Sequence, residues 1–139
     1  MKIVSEKMFF NTKREGDMVD LTREVQKILD STDVRNGIVT LFVAGSTGAL
    51  TTIEYEPGLI FDFPAMLERV APKGIAYDHE NLWHDGNGHS HVRASLVGPS
   101  LTVPFNNQRL TLGTWQQIVF VEMDVHSRKR EVVLQIIGE

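Results

Sequence analysis

The chain has 139 residues, 42% hydrophobic and 23% charged, enough to bury one core without staples, so it reads as a single domain over residues 1–139. A net charge of −4 argues against a general nucleic-acid binder, which carries a basic surface, and no apolar run is long enough to predict a membrane span. There is no cysteine, hence no disulfide and no thiolate ligand, and no signal-peptide core at the amino terminus, which suits a cytoplasmic address.

Residues 2–12 alternate loosely and carry Phe9 and Phe10, which predicts a strand, and Glu15-Gly16-Asp17 reads as a turn. Asp20 is a good N-cap for a helix over residues 20–30, in which Leu21, Val25, Ile28 and Leu29 form one apolar stripe. Residues 37–44, GIVTLFVA, are nearly all apolar or β-branched and predict a strand covered on both faces. Gly45-Ser46-Thr47-Gly48 follows. A small, hydroxyl-rich turn lets backbone amides approach an anion, which makes Ser46 and Thr47 candidates for ligand binding; a plain turn fits the same four residues, and no Walker lysine is present. A strand over residues 49–54 ends on Glu54. Pro57-Gly58 opens a second helical pattern over residues 57–70, with Leu59, Phe63, Met66, Leu67 and Val70 on one face and a kink or fresh start expected at Pro64.

Residues 77–100 read YDHENLWHDGNGHSHVRASLVGPS and hold His79, His84, His89 and His91, four of the five histidines. Imidazoles among Asp78, Glu80, Asp85 and Asn87 are a candidate donor set for a divalent metal, zinc first, with magnesium the alternative for phosphate chemistry; a polar surface loop with solvated histidines fits the same residues. Asp85-Gly86-Asn87-Gly88 reads as a loop. A strand over residues 91–97 then puts the rings of His89 and His91 on one face, with His79 as third ligand and His84 in reserve. Arg93 shares that face and could hold a carboxylate or phosphate, or serve an ordinary salt bridge.

Further strands are predicted over residues 101–105, 109–112, 114–125 and 130–137, with hairpin turns at Asn106-Asn107 and Ser127-Arg128. The RKR run at 128–130 reads as a hairpin cap. Short antiparallel strands with two helical segments give an α+β fold, in two packed sheets or one strongly curled sheet. Thr114 and Gln116 share a face and are further substrate-binding candidates beside Trp115. Glu54 and Glu122 are the candidate proton-moving carboxylates. Glu122, inside IVFVEMDV, either faces water or is held by a partner. The chain lacks a G-x-S-x-G elbow, a cysteine nucleophile and a dinucleotide fingerprint.

The tyrosine-x-histidine at residues 77–79, the segment HSHVRASLVGPS, LGTWQQI with Glu122 downstream, and the closing VVLQIIGE resemble the YjbQ-like, or secondary thiamine-phosphate synthase, family over most of the chain. The resemblance implies a compact α+β homotrimer with histidines gathered in a pocket near the subunit boundary. It also implies a reaction that joins a pyrimidine diphosphate to a thiazole phosphate and expels pyrophosphate. Many members of the family read histidine-threonine-serine-alanine after the buried strand and asparagine-glutamate further on. Here Gly45 and Ile53 replace the histidine and the asparagine, while Glu54 survives. A metal ligand lost at Gly45 would have to be replaced by His84 or His89.

Three readings stand at this point. One is a synthase-type enzyme in which His79, His89 and His91 hold a metal, Ser46, Thr47 and Arg93 hold a small phosphorylated molecule, and Glu54 or Glu122 moves protons. Another is a metal-dependent hydrolase in which the same histidines activate water. The third is a non-enzymatic oligomer that binds a small anion or a metal.

Overall fold

A computed structural model describes residues 1–139. Strands β1 (Lys2–Asn11), β8 (Lys129–Gly138), β3 (Gly37–Val43), β5 (Ser100–Asn106) and β6 (Arg109–Leu110) lie in that order in one sheet; β2 (Met18–Asp20), β7 (Gln117–Glu122) and β4 (Gly48–Ile53) make a second, smaller one. Every pairing is antiparallel. The helices are α1 (Thr22–Asp30), α2 (Pro57–Val70), α3 (Asp78–Trp83) and α4 (Gly88–Val97). The fold is α+β with two antiparallel sheets.

The period-2 alternation of β7 explains the layering. Ile118 and Phe120 enter the main core with Val39 and Leu41 of β3, Leu134 and Ile136 of β8, and Val25 and Leu29 of α1. Val119 and Val121 face the other way, onto Leu67 of α2 and Ala94 of α4. Being covered on both faces accounts for the unbroken apolar run in β7. Truncating a fully buried ring such as Phe120 to alanine costs about 3–5 kcal/mol in cores of this kind.

The structure departs from the expected elements in five places. β3 is covered on one face only: Val39, Leu41 and Val43 are buried, whereas Ile38 and Phe42 are exposed. Leu21 takes the N-cap position of α1, and the Asp20 carboxylate accepts from the Thr22 amide at 3.0 Å. α2 runs unbroken through Pro64, anchored at its start by Glu56, which accepts from the Gly58 and Leu59 amides. β7 begins at Gln117, so Thr114 and Gln116 belong to the turn before it. Residues 78–83 and 88–97 are helices, where a loop and a strand were expected. The α4 segment folds this way because His89 and Arg93, and likewise Ser90 and Ala94, are i, i+4 pairs on buried faces.

Candidate functional site

Four pieces of chain meet at one end of the small sheet. The turn from Ala44 to Thr47 leads from β3 into β4. Asp124 follows β7, and the hairpin beyond it returns through Arg128 and Arg130 into β8. The first turns of α4 close the other side. Antiparallel pairing of β4 with β7 places Gly48 opposite Glu122, which brings Thr47 beside Asp124.

Charged residues knit these pieces together. Glu122 has no exposed surface, and Arg130 grips its carboxylate through Nε, at 2.9 Å, and through Nη2. The Thr12 hydroxyl donates to the same carboxylate at 2.8 Å and the Asp124 amide at 3.1 Å. Arg130 Nη2 also donates to the Thr47 carbonyl at 3.0 Å. Asp124 accepts from Arg128 Nε at 2.6 Å, from the Thr47 hydroxyl at 3.0 Å and from the Val125 amide at 2.8 Å. Burial alone would raise the Asp124 pKa. The Val125 amide, Arg128 and Thr47 outweigh it and hold the carboxyl below its usual range.

Two adjoining cavities open here, of about 230 and about 280 Å³, which share Gly45, Ser46 and His91. The second is lined by no hydrophobic residue; Thr47, Asn87, Asp124, Arg128 and Arg130 complete it. The half-buried His91 ring lies against His79, with centroids 4.4 Å apart and planes at 48°, and neither of its nitrogens has a hydrogen-bond partner within the chain. His79 Nε2 lies 3.3 Å from Asp85 Oδ1, and turning the Asn87 amide nitrogen toward them lets it donate to both, at 2.7 Å to Asp85 and 3.0 Å to His79.

Of the expected site residues, the structure brings together Ser46, Thr47, His79 and His91, with Glu122 behind them. Glu122 is a buried anchor for Arg130, and each of its carboxylate oxygens already accepts from two donors. His89 is not with them. On a helix, residues two apart point to nearly opposite sides, and His89 turns inward to Glu15 in the β1–β2 turn. Lys73 and His89 together outweigh the effect of burial on Glu15 and lower its pKa. Arg93 donates to the Ala71 carbonyl at 2.9 Å and pairs with Glu68, so it fastens α4 to α2. His84 is the exposed left-handed cap of α3. Glu54, Thr114 and Gln116 are exposed at the opposite end of the small sheet, where Gln116 donates to Thr52 at 3.2 Å and lines a separate, threonine-rich cavity between β4 and β5.

No three His, Asp or Glu side chains converge on a point that would hold a metal ion. Zinc takes three or four protein ligands, and His79, His91 and Asp85 do not make that set in one chain.

The sequence reading missed Asp124, Arg128 and Arg130. A signal for Arg130 was present: a glutamate inside an apolar strand needs a counter-charge, and RKR is the basic run that follows it.

Comparisons with known proteins agree with this architecture. The family model described as "UPF0047 protein YjbQ-like" matches residues 6–139. A UPF0047 protein of Methanothermobacter thermautotrophicus is 37% identical over 139 residues, covering 100% of this chain and 95% of that one. The UPF0047 protein YugU of Bacillus subtilis is 35% identical, covering 91% and 94%. Among solved structures, a YbjQ-like protein of unknown function from Sulfolobus solfataricus superposes with a TM-score of 0.94 at 31% identity, covering 99% of both chains. A hypothetical protein from Aeropyrum pernix gives 0.85 at 34% identity, covering 96% of this chain and 99% of that one. The chain belongs to the YjbQ-like UPF0047 family.

Proposed function

We propose that the protein takes a small phosphorylated molecule into the cavity beside Ser46 and His91, and that its reaction is of the thiamine-phosphate-synthase type. The observation that carries this reading is the cavity itself: it has no hydrophobic lining residue, and an imidazole without an internal partner faces it. Polar walls suit a charged, hydrated ligand, and an imidazole whose ring nitrogens have no partner within the chain can pass a proton.

In that reaction the bond between the pyrimidine's methylene carbon and the diphosphate oxygen breaks, and the bonding pair leaves with the diphosphate. The thiazole nitrogen lone pair forms the new carbon–nitrogen bond, and no proton leaves the thiazole. His91 then has one task, to donate a proton to the departing diphosphate, and it regains one from water. The carboxylates assigned this task from sequence, Glu54 and Glu122, are respectively remote from the cavity and locked to Arg130. The metal that both enzyme readings placed on His79, His89 and His91 draws no support from this geometry; the hydrolase needs it to activate water, whereas the synthase displacement uses no water as its nucleophile.

The test is pyrophosphate release from the two substrates. His91→Ala is expected to lower kcat by about 10²–10⁴-fold while the fold survives, the usual contribution of a positioned acid. Equal turnover by wild type and His91→Ala would overturn the role of His91.

A homotrimer is the assembly the resemblance implies. The apolar side chains that α3 and α4 leave exposed support it: Leu82, Trp83, Val92 and Leu96. Light scattering is expected to return three times the 15.7 kDa chain mass; a monomer mass would refute the assembly. No helix is long and apolar enough to cross a membrane.

A further inference from the structure

We infer that the free edges of Arg128 and Arg130, which line one cavity with Ser46, form an oxyanion subsite that holds the ligand's phosphoryl group, and that Gly45 keeps it open. The inference rests on the reading of this cavity as the ligand site.

Each guanidinium carries five N–H donors, and the internal ion pairs use only one side of each. Arg130 is nine-tenths buried, and Nε and Nη2 make all of its hydrogen bonds; Nη1 makes none. Nη1 lies 3.4 Å from where a β-carbon on Gly45 would stand, at the cavity wall. Arg128 is held to Asp124 by Nε alone, so Nη1 and Nη2 are both unpaired and its side chain is half exposed. The carboxylates nearest these edges are held by other donors. Glu122 is fixed by Arg130, Thr12 and the Asp124 amide, and Asp124 by Thr47, Arg128 and the Val125 amide.

Two guanidinium edges and a serine lining the same cavity are a donor set for a tetrahedral oxyanion, and charge-assisted bonds of this kind are the strong ones. Gly45 is exposed and its backbone φ is not in the left-handed region, so a side chain there is not strained. A β-carbon would meet only Arg130 Nη1 at 3.4 Å and Val43 Cγ1 at 3.8 Å; the further carbons of a leucine would fill the space in front of Nη1.

Titration of the full-length protein with inorganic phosphate and with pyrophosphate, followed by calorimetry, tests the subsite. Wild type is expected to bind both, pyrophosphate the more tightly. Arg128→Gln should weaken binding about ten- to a hundredfold, the worth of a charged hydrogen bond, and Gly45→Leu should abolish it. Gly45→Ala should bind nearly as wild type. Arg109→Gln, which removes one surface charge elsewhere, should change nothing. Arg130 itself is left intact, because its loss would strand the buried Glu122.

Absence of phosphate binding by wild type, or binding that survives both Arg128→Gln and Gly45→Leu, would overturn the inference. The outcomes also separate it from the reaction proposed above. Anion binding weakened in Arg128→Gln and lost in Gly45→Leu, with no turnover of the two substrates by the wild-type protein, keeps the subsite and removes the synthase reading. Turnover with unchanged KM in both variants keeps the reaction and removes the subsite.

Discussion

A carboxylate with no exposed surface at the end of an apolar strand needs a counter-charge within hydrogen-bonding reach, and Arg130 supplies it to Glu122. The Arg130 guanidinium also sits over the Phe120 ring, 5.4 Å from its centroid, so one side chain ties the polar end of the small sheet to the main core. Glu122→Ala therefore leaves a buried cation unpaired and is expected to cost about 3–5 kcal/mol, read from the urea midpoint. A loss below about 1 kcal/mol would mean that the pair is solvated. Arg93 shows how far residue identity alone can mislead. An arginine four positions from one histidine and two from another invites a phosphate role, yet its guanidinium reaches the Ala71 carbonyl and Glu68. Where a flexible four-bond side chain ends depends on the neighbouring helix, which its own sequence does not name.

At the scale of elements, the segment from Gly88 to Val97 decides which histidine reaches the cavity. Gly88 begins α4 where it touches α3. A β-carbon there would stand 2.6 Å from Tyr77 Cβ and 2.9 Å from the Glu80 carboxylate, whose Oε1 accepts from the Gly88 amide at 2.7 Å. Gly88→Ala is thus expected to cost about 1–3 kcal/mol by overpacking, seen as a lower melting temperature. An unchanged melting temperature would contradict the close approach. The sequence made most elements legible: the stripe of α1, the apolar runs of β3 and β7, and the hairpin into β8 all form near their expected places. It failed at α4 for a physical reason. Val92 and Leu96 are apolar yet exposed, which blurs the 3.6-residue period, and the histidine-x-histidine pair imitates a strand's alternation over too few residues to weigh against it. The candidate site was half legible. Ser46, Thr47, His79 and His91 were found by local composition, whereas Arg130 reaches Thr47 across 83 positions of chain, a contact that strand pairing creates and no local pattern announces.

For the whole molecule, the two-sheet architecture leaves the cavity at one end, ringed by the β3–β4 turn, the β7–β8 hairpin and α4, with the exposed apolar residues of α3 and α4 nearby in the chain. Fixed backbone on three sides and ion pairs behind it make a preorganised polar site, so a ligand need not order its own binding residues. The competing location is the larger cavity between β4 and β5, lined by Thr51, Thr52, Thr102 and Gln116, which offers hydroxyls and an amide but no charged group. A crystal structure of the protein grown with pyrophosphate tests the choice most directly. The account predicts tetrahedral density within hydrogen-bonding distance of Arg128, of Arg130 Nη1 and of the Ser46 hydroxyl, with His91 facing it. Pyrophosphate found between β4 and β5 instead, with the Ser46–His91 cavity free of it, would contradict the account.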